Sequence, residues 1–140
     1  MRDQSFVAAP PEGLDDPHEF YLDHYRNPRN RWLLEAPDAV GTVEAANGAV
    51  LTILLRLGMD DFDNIRIADA AFQSYRCGVA LAYASLLTEL LPGMTTAEAA
   101  AILPESLMSR FGTSAIAGAS AALAIAALRE ALAASRPPSA

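Results

Sequence analysis

The sequence predicts an α+β fold: an N-terminal helix, a three-stranded antiparallel sheet, and helices packed on one face of that sheet. Three observations carry this. Residues 39–75 hold three β-type runs separated by tight turns. Parallel strands would need crossovers of a dozen or more residues, so short turns imply antiparallel pairing. Residues 77–134 are rich in Ala and Leu with apolar spacing of a helical period. Asp16-Pro17 is an N-cap followed by Pro at the first helical position.

Each element has its own local cause. The first helix should run from Pro17 to Arg26, with Phe20 and His24 one turn apart, and Pro28 stops it. Residues 29–37 form a connector carrying Trp32, the only tryptophan. The strands are expected at 39–45, 49–57 and 65–75. Asn47-Gly48 turns the first into the second. Gly58 to Asn64 turns the second into the third. A helix over 77–91 follows, ended by Pro92-Gly93. Thr95 and Glu98 form a capping box for a short helix through Ile102. Pro104 to Arg110 makes a further turn or two. Thr113 to Ala134 is the longest helix, and half of it is Ala. Leu123, Ile125, Leu128 and Leu132 point it at a core, and its small residues allow close backbone approach. Residues 1–16 and 136–140 are expected to be flexible tails around one domain at 17–135.

Composition narrows the function. The chain has 140 residues, 52% hydrophobic and 19% charged, so one domain with its own core is expected. One cysteine excludes an internal disulfide framework and a multi-thiolate metal cage within one chain. Net charge is −7, with ten Arg and no Lys. An acidic chain without a basic patch is a poor nucleic-acid binder. P-loop and Schiff-base chemistry both need Lys. No targeting signal is visible, and the longest uncharged stretch is Ala-rich, a weak membrane segment. The expected setting is the cytoplasm, with no membrane partner and no enzymatic activity.

Cys77 is the strongest single candidate. It lies where the third strand ends and a helix begins, so helix amides and Arg76 should favour its thiolate. A buried structural cysteine is the alternative. Asp60-Asp61-Phe62-Asp63-Asn64 lacks the Gly and closing Glu of a calcium loop and reads as a hairpin turn. His18 and His24 fall on different sides of their helix and read as solvated. Ser85, Thr88 and Ser120 have no base nearby in sequence, and Thr88-Glu89 reads as packing and solvation.

Two segments resemble the U-type iron–sulfur cluster scaffold family of IscU, SufU and the N-terminal domain of NifU. Asp23-His24-Tyr25-Arg26-Asn27-Pro28-Arg29-Asn30 resembles the family's "DHY-x-NPRN" stretch. Asp69 to Phe72, then Cys77 to Glu89, then Gly93 to Ala99 resemble "DA-x-F", "AIA-x-AS-x-S-x-LTE" and "GKT-x-x-EA". The resemblance implies a U-type scaffold fold over about residues 17–134. It implies three cysteines and an aspartate as cluster or zinc ligands, and of these only Cys77 is present. Asn47 and Ala49 stand where the first cysteine and the aspartate belong, and Ser120 where the third cysteine belongs. Arg76 replaces the glycine before the middle cysteine, and Met94 the lysine of "GKT". The implied metal content of a monomer is none, and at most a cluster is bridged between chains through Cys77. The implied role is a binding partner or adaptor in cluster assembly, alongside a cysteine desulfurase or a complete U-type scaffold. Sulfur acceptance through Cys77, and a structural or regulatory module without sulfur chemistry, are the alternatives. Self-association stays open.

Overall fold

The computed structural model describes residues 16–112 and 115–135, without the side chains of 115–117. The expected tails at 1–15 and 136–140, and the helix start at Thr113-Ser114, lie outside the described residues. Among the described residues, five helices and three strands follow one another as α1 (Pro17–Arg26), β1 (Ala39–Glu44), β2 (Val50–Met59), β3 (Ile65–Tyr75), α2 (Val79–Leu90), α3 (Thr96–Ala100), α4 (Pro104–Phe111) and α5 (Ala115–Ala133). Asp16 caps α1 by accepting from the His18 amide, and Thr95 and Glu98 form the capping box of α3.

The sheet is antiparallel in the order β1-β2-β3. Its pleat sorts the side chains. Leu51, Ile53, Leu55 and Leu57 alternate along β2 toward one face, where α5 packs on β2 and α2 packs on the neighbouring β3. The opposite face is covered only locally, where Leu34 of the connector buries Leu54 and Ala71. A bulge between Arg56 and Leu57 shifts the pairing with β3.

The inner face of α5 is mostly alanine: Ala121, Ala124, Ala127 and Ala131 are buried beside Ile125 and Leu128, whereas Leu123 and Leu132 are only partly covered. Small side chains let the helix sit close on β1, and Gly41 meets it there. A Cβ on Gly41 would lie 2.1 Å from the Ala131 nitrogen and 2.4 Å from the Ala127 oxygen. The closest approach of helix and sheet therefore depends on glycine from one side and alanine from the other.

Candidate functional site

Cys77 lies in the short link between β3, which ends at Tyr75, and α2, which starts at Val79. It lies between two residues in left-handed conformation, Arg76 at φ 57° and Gly78 at φ 55°. Those two turns reverse the chain between β3 and α2, and they explain why the helix starts at Val79 rather than at Cys77. The thiol is half-buried. It donates toward the Val50 carbonyl at 3.2 Å and the Tyr75 carbonyl at 3.6 Å. Burial pushes its pKa above the ordinary thiol value, and the charge of Arg31 only partly opposes this. This corrects the expectation of a lowered pKa from the helix amides and Arg76. The cation that acts on the sulfur is Arg31, and desolvation outweighs it.

The other positions implied by the resemblance lie on two further elements. Asn47 and Gly48 form the β1–β2 turn, closed by the Ala45 amide donating to the Ala49 carbonyl at 2.8 Å and the Gly48 amide donating to the Ala45 carbonyl at 2.9 Å. The Asn47 carbonyl oxygen accepts from the Ala49 amide at 3.0 Å, so the side chain is used within its own turn. Ala49 is buried and leads into Val50, whose carbonyl takes the Cys77 proton, so this turn and the thiol are neighbours. Ser120 is half-buried on α5, next to core-facing Ala121. Chemically, the set offers one thiol, an amide already engaged, a methyl group and a hydroxyl. Amide and hydroxyl are poor donors to iron beside thiolate, so these side chains do not fit a cluster held by one chain. Among the described residues, no group of three or more His, Cys, Asp or Glu side chains is arranged to hold a metal ion. The acidic 60–64 segment is a hairpin turn: Asp60 accepts from the Phe62 and Asn64 amides and pairs with Arg66.

A second cluster was not foreseen. His18 is exposed as expected, but His24 is fully buried, which corrects the solvated reading. It follows Phe20 on the inner face of α1, and both pack against Phe111, with ring centroids 5.5 and 5.8 Å away. His24 Nδ1 lies 2.7 Å from the Ser85 hydroxyl, and its Nε2 faces Glu89 Oε1 at 3.4 Å. Ser85 Oγ also accepts from the Arg29 amide at 2.8 Å. These contacts fit a neutral ring with Nε2 protonated and Ser85 donating to Nδ1. Burial, aided by the Arg29 charge, lowers the His24 pKa to about 4. Arg29 pairs with Asp23 and approaches Glu89, and Asn30 donates to Thr88.

Ser85 and His24 thus form a buried hydrogen-bonded pair, while Glu89 stands beside the ring without a hydrogen bond to Nε2, so the relay of a nucleophile, a base and an orienting carboxylate is not completed. Ser85 is completely buried and its oxygen is already engaged by a main-chain amide, so no substrate reaches it. The cluster fastens α1 and the following connector to α2. The available signal was the spacing: His24 stands one turn after Phe20, on the apolar side of its helix.

A three-stranded antiparallel sheet backed by a long helix, with a thiol at the sheet-to-helix junction beside the β1–β2 turn, defines a small α+β module. The NifU-like N terminal domain model matches residues 17–136, and the chain belongs to that family. It is 37% identical over 92 residues to the Archaeoglobus fulgidus iron–sulfur cluster assembly scaffold protein IscU 1, covering 65% of this chain and 57% of that protein. It is 42% identical over 86 residues to IscU of Haemophilus influenzae, covering 60% of this chain and 67% of that protein. The chain thus spans just over half the length of the Archaeoglobus protein. Two crystal structures share the fold: the N-terminal part of a NifU-like protein from Brucella abortus, and a SufU-type protein from Fervidobacterium islandicum. Both have a TM-score of 0.63 and cover 81% of this chain, at 22% and 16% identity. They cover 90% and 94% of their own chains. Among the described residues, no helix is long and apolar enough to cross a membrane.

Proposed function

We propose that this chain keeps the scaffold platform of its family without the donor set for a cluster, and acts as a non-catalytic binding partner in iron–sulfur cluster assembly. The observation that carries this is the state of the ligand positions. Asn47 is spent on its own turn, Ala49 is a buried methyl group, and Cys77 holds its proton between two carbonyls. A cysteine desulfurase or a complete U-type scaffold is the partner that the platform fits.

The test is binding with and without the thiol. Purified chain, mixed with a desulfurase or with a three-cysteine scaffold, should co-elute on size exclusion, and Cys77→Ser should leave that binding unchanged. Anaerobic incubation of the chain alone with iron and sulfide should give no cluster absorbance and no stoichiometric iron. Stoichiometric cluster on the monomer would overturn the reading.

A second reading rests on the partial exposure of Cys77. Its thiolate would attack the outer sulfur of a desulfurase persulfide. A new S–S bond would form on Cys77 as the desulfurase thiolate leaves. Persulfide on Cys77 after desulfurase turnover, detected as a 32 Da adduct (about one sulfur), would favour this over the adaptor.

A further inference from the structure

A cleft of 330 Å³ opens between the end of α2, α3 and α4. Its apolar lining is Leu90, Met94, Ile102 and Leu107. Leu107 and Leu90 belong to the core, so the floor is rigid. The Met94 wall is tied to the sheet, since the Ile67 amide donates to the Met94 carbonyl and the Gly93 amide to the Ile67 carbonyl, each at 2.8 Å. The Ile102 wall is held from α5, where Arg129 donates to the Ile102 carbonyl at 3.2 Å. The cleft is therefore formed before anything binds.

Two opposite charges line this cleft, Glu98 from α3 and Arg110 from the last turn of α4. Neither is ion-paired with the other or with any charged group among the described residues. One Glu98 oxygen accepts from the Thr95 amide at 2.8 Å, which fixes the carboxylate and leaves its second oxygen free. Small-molecule sites combine an apolar body with a few fixed polar groups in this way, and 330 Å³ lies at the small end of their range.

We propose that this cleft binds a free aliphatic α-amino acid as its zwitterion. The side chain lies against Met94, Ala101 and Ile102 over the buried floor of Leu90 and Leu107, the carboxylate on the Arg110 guanidinium, and the ammonium on Glu98. An uncharged apolar ligand would leave both charges unused. A simple apolar anion would meet Arg110 but also the Glu98 carboxylate. A zwitterion complements both, and a guanidinium can take a carboxylate through two parallel hydrogen bonds.

The experiment is an amide-shift NMR titration of the whole chain with L-leucine, L-leucinamide and N-acetyl-L-leucine. Leucine should bind saturably, with a Kd on the order of 1 mM, shifting amides within residues 90–110. Leucinamide and N-acetyl-leucine should each bind at least about fivefold more weakly. Arg110→Gln should remove the preference for leucine over leucinamide. Glu98→Gln, which keeps the capping bond, should remove the preference over N-acetyl-leucine. No saturation by about 10 mM, equal binding of N-acetyl-leucine, or shifts elsewhere in the chain would overturn the proposal. If a variant melts early, the three ligands on the unaltered chain still decide it.

Discussion

Gly41→Ala should be the most damaging single-methyl change in the sheet. The added Cβ would lie 2.1, 2.4 and 2.7 Å from main-chain atoms of Ala131, Ala127 and Glu130. None of these can rotate away, because all belong to the backbone of α5. Lifting a 2.1 Å approach to an ordinary 3.4 Å separates β1 and α5 by about 1.3 Å. A gap of that size forfeits more than about half of the dispersion energy of every pair that faces it. The pairs that face it include the buried alanines of α5. Overpacking of cores typically costs about 1–3 kcal/mol, and a clash with backbone belongs at the top of that range. With about 2.1 cal/mol/K of unfolding entropy per residue, a loss of 3 kcal/mol lowers the Tm by about 10 °C. Gly58→Ala is the control. Its Cβ meets nothing within 4 Å, and Ala is preferred to Gly in a strand by roughly 0.5–1 kcal/mol. Thermal and urea melts of the two variants, followed by circular dichroism, separate the cases. If Gly41→Ala melts with Gly58→Ala, the close approach of helix and sheet is not what fixes their spacing.

The remaining predictions concern the two clusters. Arg76→Gly should raise the Tm by about 3 °C, because a left-handed residue with a Cβ carries a strain of about 1 kcal/mol; an unchanged or lower Tm would refute it. Ser85→Ala should cost about 1–3 kcal/mol in urea melts, since it strips a buried partner from both His24 and the Arg29 amide. The His24 pKa near 4 lies below the unfolded value of about 6.5, so the unfolded chain binds the extra proton between them. Stability should be full above pH 6.5 and fall as pH drops toward 4, and His24→Gln should flatten that slope. Glu89, whose pKa is raised by burial, titrates in the opposite sense and remains in both proteins. Iodoacetamide should label native Cys77 slowly, with a rate that climbs only above the ordinary thiol range; a midpoint below about 8.5 would contradict the burial of its sulfur.

Elements set by local chemistry were legible in the sequence. The first helix lies between Pro17 and Arg26 as predicted from its Asp-Pro start and Pro28 stop, and the third strand spans 65–75 as predicted. The second strand runs two residues further than expected, to Met59, because the bulge at Arg56/Leu57 lets it keep pairing through Gly58. What was not legible depends on tertiary neighbours. Periodicity showed that residues 113–134 face a core, but not that alanines rather than Leu123 and Leu132 would make the contact. Nothing local to His24 reveals Ser85, which is 61 residues away. At Cys77 the sequence shows a helix start and an arginine. The carbonyls of Val50 and Tyr75 that hold its proton come from strand ends that only the fold brings together.

The two stretches that carry the family resemblance meet in space. Asp23, His24, Arg29 and Asn30 come from the first, and Ser85, Thr88 and Glu89 from the second. They build the joint between α1 and α2, and none of them is a donor at the thiol site. The joint and the thiol site draw on different side chains. The joint is held by buried polar contacts and by the aromatic ring around Phe111. The thiol site is a turn, a strand end and a helix start. Changes at Asn47 or Ser120 therefore touch none of the contacts that hold α1 to α2. This separation leaves the joint independent of which side chains stand around the thiol. It also sets the expected pattern of damage. Variants at Ser85 or His24, whose contacts are buried, should lower stability by more than variants at Asn47 or Cys77.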